Sequence, residues 1–128
     1  MLDTSIVIHA RDSNAAVLDR LFKYDGIATL SVLSLLELQR GLYKNPADTA
    51  IRQIRLSLFL EQVSVLAFDT AAAEAYGRII AQLGWVKGRD FDRMIAAHAI
   101  STRAILVTSN EADFRDVPGL QYENWLAA

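Results

Sequence analysis

Short apolar runs alternate with longer amphipathic ones along this chain. Met1 to Ile8 reads as a very short strand that runs straight into a helix, with Asp3 at the strand end and Thr4 and Ser5 placed to cap that helix. Residues 14–24 carry apolar positions at helical spacing, Val17, Leu18, Leu21 and Phe22 on one face, and Gly26 ends that helix. Ile27 to Leu30 predicts a buried strand, after which Ser31 caps a helix over 31–43. Asn45-Pro46 breaks the chain and starts a helix over 47–61. Val63 to Ala67 is strand-like, Asp69 caps a helix through Leu83, and Gly84 stops it. A loop leads into a helix over 91–102 and a buried strand over 104–107. Val117-Pro118-Gly119 then makes a turn before an edge strand over 120–122.

Strands that alternate with helices predict an α/β domain with a mostly parallel sheet flanked by helices. No internal repeat, low-complexity segment or linker interrupts the pattern, so one domain is expected over 1–128. Hydrophobic residues make up 52% and charged residues 22%, enough to build a core and too apolar for a disordered chain. The net charge of −2 argues against a protein that simply coats nucleic acid. It is compatible with one that cuts nucleic acid, because acids that hold a metal lower the net charge while a basic rim persists. The chain has no cysteine, which excludes disulfides, thiolate zinc sites and cysteine nucleophiles. No apolar run is long enough to span a bilayer, and an acid at position 3 without a basic leader does not read as a signal peptide. A soluble cytoplasmic protein without membrane contact is expected.

The run G-R-D-F-D-R-M-I-A-A-H-A, residues 88–99, puts two carboxylates, Asp90 and Asp92, at the start of an apolar helix. Acids there complement the helix dipole and cap free N–H groups. The doubling, with Lys87, Arg89 and Arg93 around it, is more than a cap requires. In an open parallel sheet, ligands collect at the carboxyl ends of the strands. Asp3 ends the first strand, Asp92 opens the helix before the last long strand, and Asp113 follows that strand. Glu37 lies on a polar, small strip with Ser34 and Gly41, apart from the apolar stripe of Leu35, Leu38 and Leu42. Taken alone it reads as a surface glutamate. Spacing does not decide whether these acids converge. If they do, they form a hard oxygen site suited to Mg²⁺ or Mn²⁺ rather than zinc, and the natural chemistry is phosphodiester hydrolysis.

Other polar residues carry less. His98, amid I-A-A-H-A-I, reads as a core histidine and His9 as a surface one. Asp48 and Asp69 read as helix-start residues. Trp85 and Trp125 read first as buried or interface residues and second as rings on which bases stack. Lys87, Arg89, Arg93 and Arg40 are placed either to line a phosphate path or to form a solvated rim.

Five segments in order carry a resemblance: M-L-D-T at the start, S-L-L-E-L-Q-R-G at 34–41, D-R-M-I-A-A-H-A at 92–99, L-V-T-S-N-E-A-D-F at 106–114 and V-P-G-L-Q-Y-E-N-W at 117–125. Together they resemble the PIN-domain ribonucleases, and the last is similar to the VapC toxins of bacterial toxin–antitoxin pairs. The resemblance implies a three-layer α/β sandwich around a central parallel sheet. It implies a Mg²⁺-dependent endoribonuclease, with Mn²⁺ as a substitute, acting on structured RNA, with transfer RNA as the target class. By position, Asp3, Glu37 and Asp92 fall on the family's acidic triad. Asp90 then becomes a supporting or capping acid, with Thr4, Ser5 and Thr108 as further supports around the triad. A further acidic position falls near Asn110 or Asp113, and an asparagine offers the metal only a neutral oxygen. The family usually has Asn where this chain has Ser5, and family members often carry residues ahead of the L-D-T strand, so the start is expected to lie further upstream. The implied partners are a second copy of the chain, a VapB-like antitoxin whose tail lies across the acidic groove, and the RNA.

Two rivals remain. A phosphotransfer receiver domain needs a lysine after a late strand, and none follows Lys87. A non-catalytic PIN-like module that grips RNA or protein has no need of all three triad carboxylates.

Overall fold

The computed structural model describes residues 1–126, and Ala127 and Ala128 of the expected domain lie outside the described residues. Leu2 sits between two short parallel pairs of strands. It bridges Leu30 on one side and Val107 on the other, both in parallel. On the first side β1 (Thr29–Ser31) pairs with β2 (Ser64–Leu66), and on the second β3 (Leu106–Val107) pairs with β4 (Tyr122–Glu123). The Leu2 N–H donates to Thr29 O, and the Asp3 N–H donates to Val107 O, each at 2.8 Å. The sheet order is therefore β2, β1, the Leu2 segment, β3, β4, all parallel, as the alternating pattern predicts.

Among the described residues six α-helices flank the sheet: α1 (Thr4–Arg11), α2 (Ala15–Lys23), α3 (Val32–Leu42), α4 (Thr49–Leu60), α5 (Thr70–Leu83) and α6 (Asp90–Ser101). Side chains alternate faces along a strand, which sorts the core into two halves. Leu2, Leu30 and Val107 join Ile6, Val7, Val17, Leu38, Leu42 and Leu56 on one face. Met1 and Leu106 join Ala75, Ile79, Ile95, Ala96 and Phe114 on the other. Helices α1 to α4 thus cover one face and α5 with α6 the second, giving three layers. Among the described residues no helix is long and apolar enough to cross a membrane.

Several local expectations are refined. Thr4 and Ser5 do not cap α1; they are its first residues, and the cap is Asp3, whose side chain accepts from the Thr4 N–H. The expected helix over 47–61 splits into a 3-10 turn, Pro46–Asp48, and α4, because Asn45 caps the turn and Thr49 Oγ1 donates back to Leu42 O at 2.6 Å. On α2, Val17 is buried and Leu21 packs on the core, but Leu18 is 41% and Phe22 91% exposed. This short peripheral helix rests on α1 through one narrow stripe, so half of its predicted apolar face stays in solvent. Asp69 caps α5 through Ala72 N–H at 3.0 Å, whereas Asp48 makes no side-chain cap.

Candidate active site

The carboxyl ends of the strands supply the floor of the site. Asp3 follows Leu2 directly, Ser31 ends β1 and Thr108 follows Val107. Asp3 is 6% exposed, and both of its oxygens are engaged. Oδ1 accepts from the Thr4 N–H at 2.8 Å, and Oδ2 accepts from Ser5 Oγ at 3.0 Å and Thr108 Oγ1 at 2.8 Å. Thr108 Oγ1 also accepts from the Asn110 N–H, and Ser5 Oγ from the Ser109 N–H. Serine at position 5 therefore still grips the carboxylate while holding the loop after β3. Burial raises the Asp3 pKa above the usual carboxylate range, these hydrogen bonds oppose the rise, and the charge of Asp113 adds to it.

Glu37 is not a free surface residue. It is half-buried on α3, and its Oε1 accepts from Thr4 Oγ1 at 2.6 Å. Ser34, on the same strip, is fully buried, and its hydroxyl has no partner among the described residues. Gly41 does not clear space for the carboxylate, since a Cβ there would meet nothing within 4 Å.

Asp90 and Asp92 are two positions apart, about 200° around a helix, so they face opposite ways. Asp90 accepts a hydrogen bond from the Tyr76 hydroxyl on α5. Asp92 is half-buried and feels the charges of the other acids. Its pKa is pushed up to about 6, first by burial and then by the charges of Asp113, Asp3 and Glu37, with Arg89 opposing. No side chain caps α6 at Arg89, so neither acid is a cap in the hydrogen-bonding sense. Four carboxylates from four separate segments thus share one field. Between the two candidates for the further acid, Asp113 is the one whose charge reaches both Asp3 and Asp92; Asn110 is exposed, and the contact it makes here is through its backbone.

The basic residues divide. Arg40 and Lys87 are exposed, and Arg89 reaches Asp116 at 3.5 Å. Arg93 does not belong with a phosphate path: it is 4% exposed and its Nη2 donates to Asp116 Oδ2 at 3.2 Å. One turn of helix carries it beneath the surface, where it ties α6 to the segment after Asp113. His98 is buried as expected, with Nδ1 2.7 Å from Ser31 Oγ and its ring edge-on to Phe68. Trp125 is buried beneath Arg20, whereas Trp85 is exposed. Tyr76 and Asp116 carry no sequence signal, because their partners lie 14 and 23 residues away in regions with no shared periodicity.

The donor set is all oxygen, carboxylates with hydroxyls behind them, and its negative charges oppose one another. That chemistry fits a hard divalent cation. Among the described residues no three His, Asp or Glu side chains are grouped tightly enough to hold a metal as they stand.

The PIN domain family matches residues 1–120. Ribonuclease VapC2 of Rickettsia felis is 36% identical over 132 residues, covering 98% of this chain and 96% of that one. The tRNA(fMet)-specific endonuclease VapC of Shigella flexneri is 36% identical over 129 residues with the same coverage. Among solved structures, VapBC2 from Rickettsia felis bound to a DNA fragment from their promoter superposes with a TM-score of 0.88 at 30% identity, covering 98% of this chain and 97% of that one. DNA-bound VapBC from Salmonella typhimurium gives 0.86 at 30% identity, covering 98% and 96%. Dependence on a divalent metal is general among PIN-domain VapC nucleases. The order of motifs, the three-layer fold and these similarities together make this chain a member of the PIN-domain family, within its VapC ribonucleases.

Proposed function

We propose that this chain is a Mg²⁺-dependent endoribonuclease toxin that hydrolyses phosphodiester bonds of structured RNA, transfer RNA by class. The observation that carries the reading is the convergence of acids at one sheet end: Thr4 bonds both Asp3 and Glu37, and the ionisation of the half-buried Asp92 is opposed first by burial and then by Asp113, Asp3 and Glu37. Acids held in mutual repulsion at a strand edge are costly unless a cation joins them. Mg²⁺ commonly keeps several waters and takes few protein ligands, which suits acids that are close but not closed around a point. When bound, the cation supplies Lewis acidity that lowers the pKa of the attacking water and offsets charge on the phosphate. Asp3, Glu37 and Asp92 would hold it, with Asp113 helping through water. Thr108 and Ser5 keep Asp3 oriented, Thr4 does the same for Glu37, and Asp90 fixes the first turn of α6 through Tyr76. Arg40, Lys87 and Arg89 hold the RNA backbone nearby.

Residues 1–128 act as one unit, in the cytoplasm, as a homodimer restrained by a VapB-like antitoxin. Leu18 and Phe22 on α2, and Ile54 and Leu58 on α4, are exposed apolar side chains of the kind that a protein partner covers. The test is incubation of the purified chain with total RNA in Mg²⁺ and in EDTA, beside Asp92→Ala, with the new ends mapped. Discrete ends that need both Mg²⁺ and Asp92 are expected. Tight RNA binding in EDTA with no product in Mg²⁺ would instead identify a non-catalytic binding module.

A further inference from the structure

The segment between α5 and α6 carries chemistry that the acidic cluster does not use. Residues 84–89 read G-W-V-K-G-R, without an acid. The Arg89 N–H donates to Val86 O at 3.1 Å, closing a turn with Lys87 and Gly88 at its centre. Gly88 has φ of 85°, the left-handed conformation that the second central position of a type II turn requires. Gly84, with φ of 73°, sets the exit from α5. Backbone conformation shapes this loop, and the packing of its aromatic ring does not: Trp85 is 63% exposed. An indole in solvent forgoes the burial that usually accounts for a tryptophan. Its neighbours in the turn include two cations, Lys87 and Arg89, and Arg89 is the N-cap of α6, three residues before Asp92, while reaching Asp116 at 3.5 Å. The loop therefore presents one flat ring and two positive charges, one of them shared with Asp116, at the start of the helix that carries Asp92. An acidic or purely apolar partner would match only half of that set. A nucleotide matches both halves, with a base for the ring and phosphates for the cations.

We infer that Trp85 is the stacking platform for an unpaired nucleotide next to the cut bond, with Lys87 and Arg89 on its flanking phosphates. The inference rests on RNA being the substrate and narrows the substrate class. Inside a continuous duplex both faces of a base are already stacked, so the platform selects loops, bulges and single-stranded ends.

The test measures binding in EDTA of a short single-stranded oligoribonucleotide and of a blunt RNA duplex of the same composition. Anisotropy of labelled RNA gives affinity, and tryptophan emission reports the ring. The single strand should quench emission and the duplex should not. Trp85→Phe should remove the quench, because Trp125 is buried, yet bind within about threefold of wild type since a phenyl ring still stacks. Trp85→Ala should bind about 10- to 100-fold more weakly at unchanged melting temperature. Equal affinity of Trp85→Ala for the single strand overturns the inference. So does emission that follows protein concentration rather than oligonucleotide, which would make this loop a contact between copies. Cleavage assays on the same preparations separate the two readings. Cutting by wild type with unchanged Trp85→Ala affinity overturns the platform alone. Trp85-dependent binding without cutting overturns the hydrolase reading alone.

Discussion

Thr4 Oγ1 donates to Glu37 Oε1 at 2.6 Å while the Thr4 N–H donates to Asp3 Oδ1 at 2.8 Å. One residue thus fixes the orientation of two acids that arrive on different elements. Thr4→Val keeps the volume and deletes the hydroxyl. The half-buried Glu37 regains solvent partners, so stability should fall by only about 1 kcal/mol. Affinity for Mn²⁺ should fall by about tenfold, the usual scale for removing a group that orients a metal ligand. Calorimetric Mn²⁺ titration beside a thermal melt separates the two effects.

Asp3 Oδ2 accepts from both Ser5 and Thr108, and Thr108 is fully buried. Ser5→Ala also leaves the Ser109 N–H without its acceptor, and Thr108→Val leaves the Asn110 N–H without one. Each variant should lower RNA cleavage, and Thr108→Val should lower it more, because the buried site offers less access to a replacing water. Stability losses of about 1–3 kcal/mol are expected for the buried change. Cleavage rates at saturating and limiting Mg²⁺ would show the loss concentrated at limiting metal.

The Asp92 pKa is raised from 3.8 to about 6 in the folded protein. A carboxyl that holds its proton more tightly when folded favours the folded state at low pH. That contribution is complete below the unfolded pKa of 3.8 and is lost as pH rises through about 6. Without metal, wild type should therefore lose stability relative to Asp92→Asn between those limits. Asp3, raised in the same direction, adds to the trend. Saturating divalent cation should abolish the difference at pH 7 by favouring the ionised carboxylates. Paired melts of the two proteins across this range, with and without Mg²⁺, test it.

Arg93 and Asp116 make a contrast with Lys87. Asp116→Ala deprives the Arg93 guanidinium, one nitrogen of which already lacks a partner among the described residues, of its carboxylate. A loss of about 2 kcal/mol is expected, since Asp116 is half-exposed and water offsets part of the penalty. Arg93→Met should cost less, because an apolar chain fills the space without a buried charge. It should leave RNA affinity in EDTA unchanged, whereas Lys87→Ala should weaken it and flatten its salt dependence. Denaturant melts and binding across a salt series would tell a strut from a phosphate contact.

Much of the fold is legible in the sequence because periodicity reports burial. Ser31, Asp69, Gly84 and the Asn45-Pro46 break all fall at element ends, since caps and breakers act within a few residues of themselves. The α2 face departs from its pattern for the converse reason. Periodicity marks which residues share a face, not how much of that face a neighbour covers. The Asp90–Asp92 pair is half legible: a separation of about 200° on a helix already sends them to opposite sides. It does not say which side meets other acids.

By itself the sequence determined the alternation of strands and helices, the exclusion of thiol chemistry and the identity of the acids available for an oxygen site. These depend on residue type and local spacing. Tertiary structure decided that Asp3, Glu37, Asp92 and Asp113 share one field, that Asp90 faces Tyr76, and that Arg93 is a buried strut while Trp85 is left in solvent. Each of those depends on which segments the parallel sheet brings side by side. Electrostatic coupling and burial are set by distances in space, and no spacing along the chain encodes them.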